Sequence, residues 1–153
     1  DLENSEKSIG KFEFGTDGSK AKFLNCDFGG FRKTKDDWNS LYMNGAEVMT
    51  FTLKIIPKAI KQYLDKYEIS MQEIDLCVLH QANKFILDRL HIKSEIKEKG
   101  VICLEMFGNT VSSSSPIALA NKVNFKSTSK SKIKILIVGF GVGLSWGVGF
   151  LKI

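Results

Sequence analysis

From Ile135 to Leu151 the chain runs for 17 residues without a charge, ILIVGFGVGLSWGVGFL, bounded by Lys134 and Lys152. No other stretch limits the fold as much. Small residues at Gly139/Gly143 and Gly143/Gly147 have the spacing of packed membrane helices. A spanning helix, however, needs about 20 apolar residues, and each glycine costs a helix about 1 kcal/mol relative to alanine. Ile133, Ile135 and Ile137 recur at period two. The run therefore reads as two strands, Ile133 to Phe140 and Leu144 to Ile153, joined by a glycine turn, and no membrane span is expected. Nor is it a dinucleotide loop. Gly139-Phe140-Gly141-Val142-Gly143 lacks the third glycine at the required offset and leads into a strand instead of a helix.

Upstream, the pattern alternates. Phe12 to Phe14 reads as a short strand, followed by the turn signal GTDGS at Gly15 to Ser19. Ala21 to Cys26 fits a helical turn or a strand, and Asp27 to Ser40 a polar loop. Asn44 can cap a long helix that buries Val48, Phe51, Leu53, Ile55, Ile56, Ile60 and Leu64, with a kink or local irregularity expected at Pro57. Ile74 to Leu79 predicts a strand, Ala82 to Leu90 a helix, and Val101 to Met106 another strand. Ser115 to Val123 predicts a helix with Pro116 in its first turn. Strands and helices in this order define an α/β fold, here a mixed five-stranded sheet with helices packed on it. No repeat or linker divides residues 1–153, so one domain is expected.

Composition narrows the function. The 153 residues are 43% hydrophobic and 25% charged, ordinary for one globular domain. Three cysteines cannot all pair. Cys77 and Cys103 lie inside apolar runs and read as buried thiols of a reducing compartment, which places the chain in the cytoplasm. No two have metal-ligand spacing, so no zinc site is expected. The net charge is +5, densest from Lys7 to Lys35 and from Lys126 to Lys134. The second cluster contains no aromatic residue and reads as a solvated loop, not a nucleic-acid arm. The opening DLENSEKSIG has none of the regions of a signal peptide. It also begins without methionine, as a fragment or a processed piece would.

Chemistry concentrates in three segments, each placed after a strand. LCVLHQAN, Leu76 to Asn83, ends an apolar strand in polar residues where a turn would more cheaply use Gly, Pro or Asp. FGNTVSSSS follows the next strand, and GFGVG forms the last turn. Loops beyond the carboxyl ends of parallel strands share one edge of an α/β sheet, so His80 and Asn109 can face a common pocket. Each residue alone has a plainer explanation. A histidine at a strand end is more often structural, Asn109 after Gly108 is a common turn residue, and Ser112 to Ser115 can serve only as an N-cap run.

In combination, HQAN, then FGNT with its small-residue run, then GFGVGLSWG resemble the second half of β-ketoacyl-(acyl-carrier-protein) synthase III, a thiolase-fold condensing enzyme. GTDGS and MNGAEV extend the likeness over nearly the whole chain. The resemblance implies a decarboxylative condensation in fatty-acid synthesis. A cysteine takes an acyl group from acyl-CoA, and the carbanion of malonyl carrier protein attacks it. His80 and Asn109 would be the paired side-chain donors to the malonyl thioester oxygen, and the backbone N–H of Val142 would belong to the second oxyanion hole. A β-branched residue resists positive φ, so the turn geometry there matters. Gly45, Met49, Ala82 and Ile86 would line the pantetheine channel.

Relatives often carry arginine where Phe85 stands, a residue that helps dock the acidic carrier protein; Lys84 and Arg89 are the substitutes here. No cofactor is implied beyond coenzyme A and phosphopantetheine thioesters as substrates, and no metal. Cys26, Cys77 and Cys103 do not match the nucleophile, which lies in the family's first half. The chain is thus expected to be a C-terminal half, inactive alone. Its partners would be acyl carrier protein, acyl-CoA, the missing N-terminal half and, in the full-length enzyme, a homodimer mate. The apolar helix Ala46 to Lys66 would be left bare by the missing half. Other readings stay open: a relative that transfers acyl groups without decarboxylation, one that serves a specialised lipid or polysaccharide pathway, and a non-catalytic half that binds a cysteine-bearing partner.

Overall fold

The charge-free run folds as an antiparallel hairpin, β5 (Lys134–Gly141) and β6 (Ser145–Lys152), with Gly139 opposite Gly147 and Phe140 opposite Trp146. The structure, a computed structural model, describes residues 8–26, 41–123 and 132–153. Among these, no helix is long and apolar enough to cross a membrane. β1 (Ser8–Thr16) pairs antiparallel with β6, and β4 (Leu76–Leu79) pairs parallel with β5. The resulting mixed sheet has the order β1-β6-β5-β4, and β2 (Leu24–Asn25) with β3 (Tyr42–Met43) makes a separate two-stranded ribbon. The loop Asp27 to Ser40 and most of the Lys126 to Lys134 cluster lie outside the described residues.

Among the described residues the sheet has four strands where the sequence predicts five. Val101 to Met106 is not a strand: Cys77 bonds to the segment's start, through its N–H to Lys99 O (2.8 Å) and its O to Val101 N–H (3.0 Å). Beyond that the chain turns into the helical turn α3 (Leu104–Phe107). The physical reason lies in Gln81, whose side-chain amide accepts from the N–H of Cys103 at 2.9 Å and donates to the carbonyl of Val101 at 3.1 Å. These are the groups a longer ladder would have used, and buried backbone groups are rarely left unpaired.

One sheet face is covered by α1 (Gly45–Lys66) and α2 (Lys84–Lys93). Cys77, Leu79, Leu136, Val138 and Val148 meet Ile56, Ile60, Tyr63, Leu87 and Leu90 there. α1 is amphipathic, not bare: Phe51, Thr52, Ile56, Ala59, Ile60 and Tyr63 are buried, while Lys54, Lys58 and Lys61 face water. It also runs unbroken through Pro57, without ending at the residue where a kink is predicted. Proline there removes the hydrogen bond to the carbonyl four residues earlier, that of Leu53. Lys93, the last residue of α2, donates its Nζ to this same carbonyl at 3.3 Å. The deficit is filled from the neighbouring helix.

The opposite face is covered by α4 (Ser114–Lys122), which packs on Val78, Val101, Cys103 and Ile135. Over β6 and β1 this face carries glycines and phenylalanines. A Cβ at Gly149 would fall 2.3 Å from the Phe12 ring, and one at Gly147 would fall 2.9 Å from that of Phe14. The two rings stack with centroids 6.0 Å apart. Glycine is needed in β6 so that these rings can lie flat on the strand. Phe14 and Ile9 nevertheless remain 79% and 76% exposed.

Leu79 is the last residue of β4 and is fully buried. Leu79→Ala is expected to cost about 2–5 kcal/mol through lost burial and the cavity left behind, read as a shift in the urea midpoint at unchanged slope.

Candidate functional site

The last rung of β4 is the N–H of His80, which donates to the Val138 carbonyl on β5 at 2.8 Å. The chain then leaves the sheet and starts α2, capped by Asn83, whose Oδ1 accepts from the N–H of Ile86 at 2.8 Å. His80 is thereby fixed at the carboxyl end of a parallel strand. Its ring stands edge-on to Phe140 of β5, with centroids 5.2 Å apart and planes at 83°.

A second loop closes on it. Ser114, at the start of α4, lies with Oγ 2.7 Å from His80 Nδ1 and accepts from the Gln81 N–H at 3.2 Å. Ser114 is 2% exposed. The sequence reads Ser112 to Ser115 as a capping run, but no side-chain cap bond forms at α4. Asn109 closes the gap from the other side: its Oδ1 accepts from the Val111 N–H at 3.0 Å, and its Nδ2 donates to the Ala82 carbonyl at 3.3 Å. The turn needs left-handed backbone at Gly108 (φ 64°) and, unusually for a β-branched residue, at Val111 (φ 53°). Three hydrogen bonds thus join the Asn109–Ser114 loop to the His80–Ala82 segment. An amide nitrogen carries two protons, so Nδ2 of Asn109 has a second to offer.

Burial holds the His80 imidazole below its ordinary pKa, partly offset by the polar main chain of Val111 nearby. Desolvation penalises the charged form, so the ring is neutral around pH 7. Burial also pushes the Cys77 thiol up to about 12 and raises that of Cys103. Neither is a ready thiolate. Among the described residues, no three His, Cys, Asp or Glu side chains gather as a metal site would require.

The other residues singled out by sequence fall as follows. Val142 is exposed in the hairpin turn, and the left-handed position there belongs to Gly143 (φ 138°), not to Val142. Phe140, which touches His80, ties this turn to the site. Gly45 opens α1 and Met49 lies one turn on, half-buried; Ala82 sits beside the Asn109 amide, while Ile86 belongs to the main core. Lys84 and Arg89 are exposed on α2. Lys84 Nζ lies 3.9 Å from Asp88, and the Arg89 guanidinium covers the Phe85 ring at 4.9 Å. Sequence reasoning missed Gln81. The signal was there: a glutamine directly after a fully apolar strand must have partners for its amide if it is buried.

A mixed sheet with helices on both faces, and His and Asn loops meeting past the end of a parallel strand, defines one half of a thiolase-like condensing-enzyme fold. Residues 64–153 match the family model for the C-terminal domain of 3-oxoacyl-[acyl-carrier-protein] synthase III, and the chain belongs to that family. It is 35% identical to a β-ketoacyl-[acyl-carrier-protein] synthase III of Pyropia yezoensis, over 96% of this chain and 48% of the relative. The counterpart from Clostridium perfringens (strain ATCC 13124) is 36% identical over 85% of the chain and 40% of the relative. A 3-oxoacyl-(acyl-carrier-protein) synthase III crystal structure superposes with a TM-score of 0.83 at 37% identity, over 95% of this chain and 48% of that one. The Aquifex aeolicus enzyme gives 0.81 at 27% identity, over 98% and 46%. The chain spans about half the length of the relatives it matches.

Proposed function

We propose that this chain is the half of a decarboxylating condensing enzyme that activates malonyl carrier protein in fatty-acid synthesis. The supporting observation is the triple hydrogen-bonded junction that holds His80 and Asn109 at one strand end. Decarboxylation breaks the bond between the malonyl α-carbon and its carboxylate. CO2 leaves, and the electron pair passes onto the thioester oxygen as an enolate. The N–H groups of His80 Nε2 and Asn109 Nδ2 stabilise that oxygen. The enolate carbon then attacks an acyl-cysteine supplied by an N-terminal half, expelling the thiolate. Pantetheine enters past Gly45, Met49, Ala82 and the outer edge of Ile86. Lys84 and Arg89 present charge to an acidic carrier protein, and the Val142 N–H serves the oxyanion of the condensation step.

The role of Ser114 follows from proton counting. Its Oγ already accepts the Gln81 N–H, and its one proton is best placed on His80 Nδ1. The ring then keeps its own proton on Nε2, where the oxygen forms. Ser114→Ala should lower malonyl decarboxylation by about 10-fold or more, since one buried partner lost costs about 1–3 kcal/mol, while cysteine acylation changes little. CO2 release from malonyl carrier protein by the completed two-half enzyme tests the function itself. An enzyme that acylates its cysteine but releases no CO2 from malonyl carrier protein would overturn it.

A further inference from the structure

The junction between the two loops depends on a side chain that would not touch substrate. Gln81 is fully buried. Its Nε2 donates to the carbonyls of Leu79 at 2.8 Å and Val101 at 3.1 Å, and its Oε1 accepts from the N–H of Cys103 at 2.9 Å. Its main-chain N–H donates to Ser114 Oγ. Every polar atom of the amide is therefore matched to a backbone group of the opposite kind, and the pattern mimics one further residue of ladder beyond the end of β4. Six residues past Cys103 lies Asn109, with only α3 and Gly108 between them. We infer that Gln81 is a positioning residue: its amide sets the start of the Asn109 loop against β4, and so sets the distance between the His80 and Asn109 donors. This rests on reading those two side chains as the donors of the decarboxylation.

Charge chemistry makes the inference testable. Gln81→Glu keeps the shape. As a neutral acid, glutamate offers one donor and one acceptor, enough for a backbone carbonyl and the Cys103 N–H. As a carboxylate it can only accept, and it would face two carbonyl oxygens. Burial and those oxygens both favour the neutral form, so its pKa is raised. The variant should therefore decarboxylate malonyl carrier protein at low pH and lose that ability as pH rises through the raised pKa. The loss should reach about 100-fold, the size attached to a misplacement of about 1 Å, relative to the native enzyme at the same pH. Gln81→Met, with similar volume and no hydrogen-bonding amide, should lose decarboxylation at every pH. Acylation of the cysteine should persist in both.

Both variants are to be measured in the completed two-half enzyme, beside His80→Ala and Asn109→Ala. Normal decarboxylation by both Gln81 variants, with the His80 and Asn109 variants inactive, overturns the role of Gln81 alone. Normal decarboxylation by the His80 and Asn109 variants overturns the functional reading, and with it this one. Equal loss of acylation and decarboxylation marks Gln81 as merely structural and also overturns the inference. If neither variant folds, amide exchange in the native protein decides. The Cys103 N–H should be as protected as those of β4, and rapid exchange there would sink the proposal.

Discussion

His80→Ala and Asn109→Ala are each expected to lower malonyl decarboxylation by about 100- to 1000-fold, the range for removing one preorganised donor to an oxyanion. Acylation of the cysteine should be nearly unchanged. The asymmetry follows from where charge develops. On the proposed reading, both side chains would offer N–H groups to a thioester oxygen that becomes anionic only after malonyl carrier protein binds, so their loss would raise the later barrier and leave the earlier one alone. The two effects should also be less than additive. Asn109 hangs from the Ala82 carbonyl, two residues from His80, and Ser114 bonds both His80 and the main chain of Gln81. Groups that share one network do not contribute independently. Mass spectrometry of the acylated protein, beside CO2 release, separates the half-reactions. Equal loss of acylation in both variants would reject the assigned roles.

The sequence disclosed elements whose residues carry their own signal, and hid those decided by partners. Ile133, Ile135 and Ile137 alternate, and five glycines forbid a stable helix, so the hairpin was legible. So was the long helix, from the Asn44 cap and its apolar positions. Val101 to Met106 was misjudged because its β-branched start favours a strand, while the groups that end it belong to Gln81, some 20 residues away in sequence. Ser114 misled for a similar reason: a serine before a helix usually serves the helix, and only the fold brings His80 to it. The helix continues through Pro57, and the partner that Lys93 of another helix supplies to the Leu53 carbonyl could not be read from the sequence. His80 and Asn109 could be selected from motif order, but their junction through Ala82, Gln81 and Ser114 is a property of the packed loops. Interactions within a few residues can be read from a sequence; compensation between distant ones cannot.

If His80 and Asn109 are the donors and the nucleophile lies elsewhere, this chain alone should form no ketoacyl product from acyl-CoA and malonyl carrier protein. Cys77 and Cys103 are sealed in the two cores, with thiols shifted away from ionisation. Cys26 is exposed and directly follows β2. The exposed apolar surface makes the complementary argument. Ile9, Phe12 and Phe14 lie on β1. Met106, Phe107 and Val111 are exposed around the Asn109 loop. Isolated apolar side chains on a surface are ordinary, but two groups of this size on one small chain favour association. A cysteine-bearing half that covers them would therefore gain burial at the same time as it delivers the nucleophile. The expected result is no turnover by the chain alone, concentration-dependent self-association in sedimentation, and both turnover and a defined stoichiometry when an N-terminal half is added. Product formation by the purified chain would show that the nucleophile lies within it. A monomer that persists at high concentration and binds no hydrophobic dye would show that the exposed phenylalanines are not an interface.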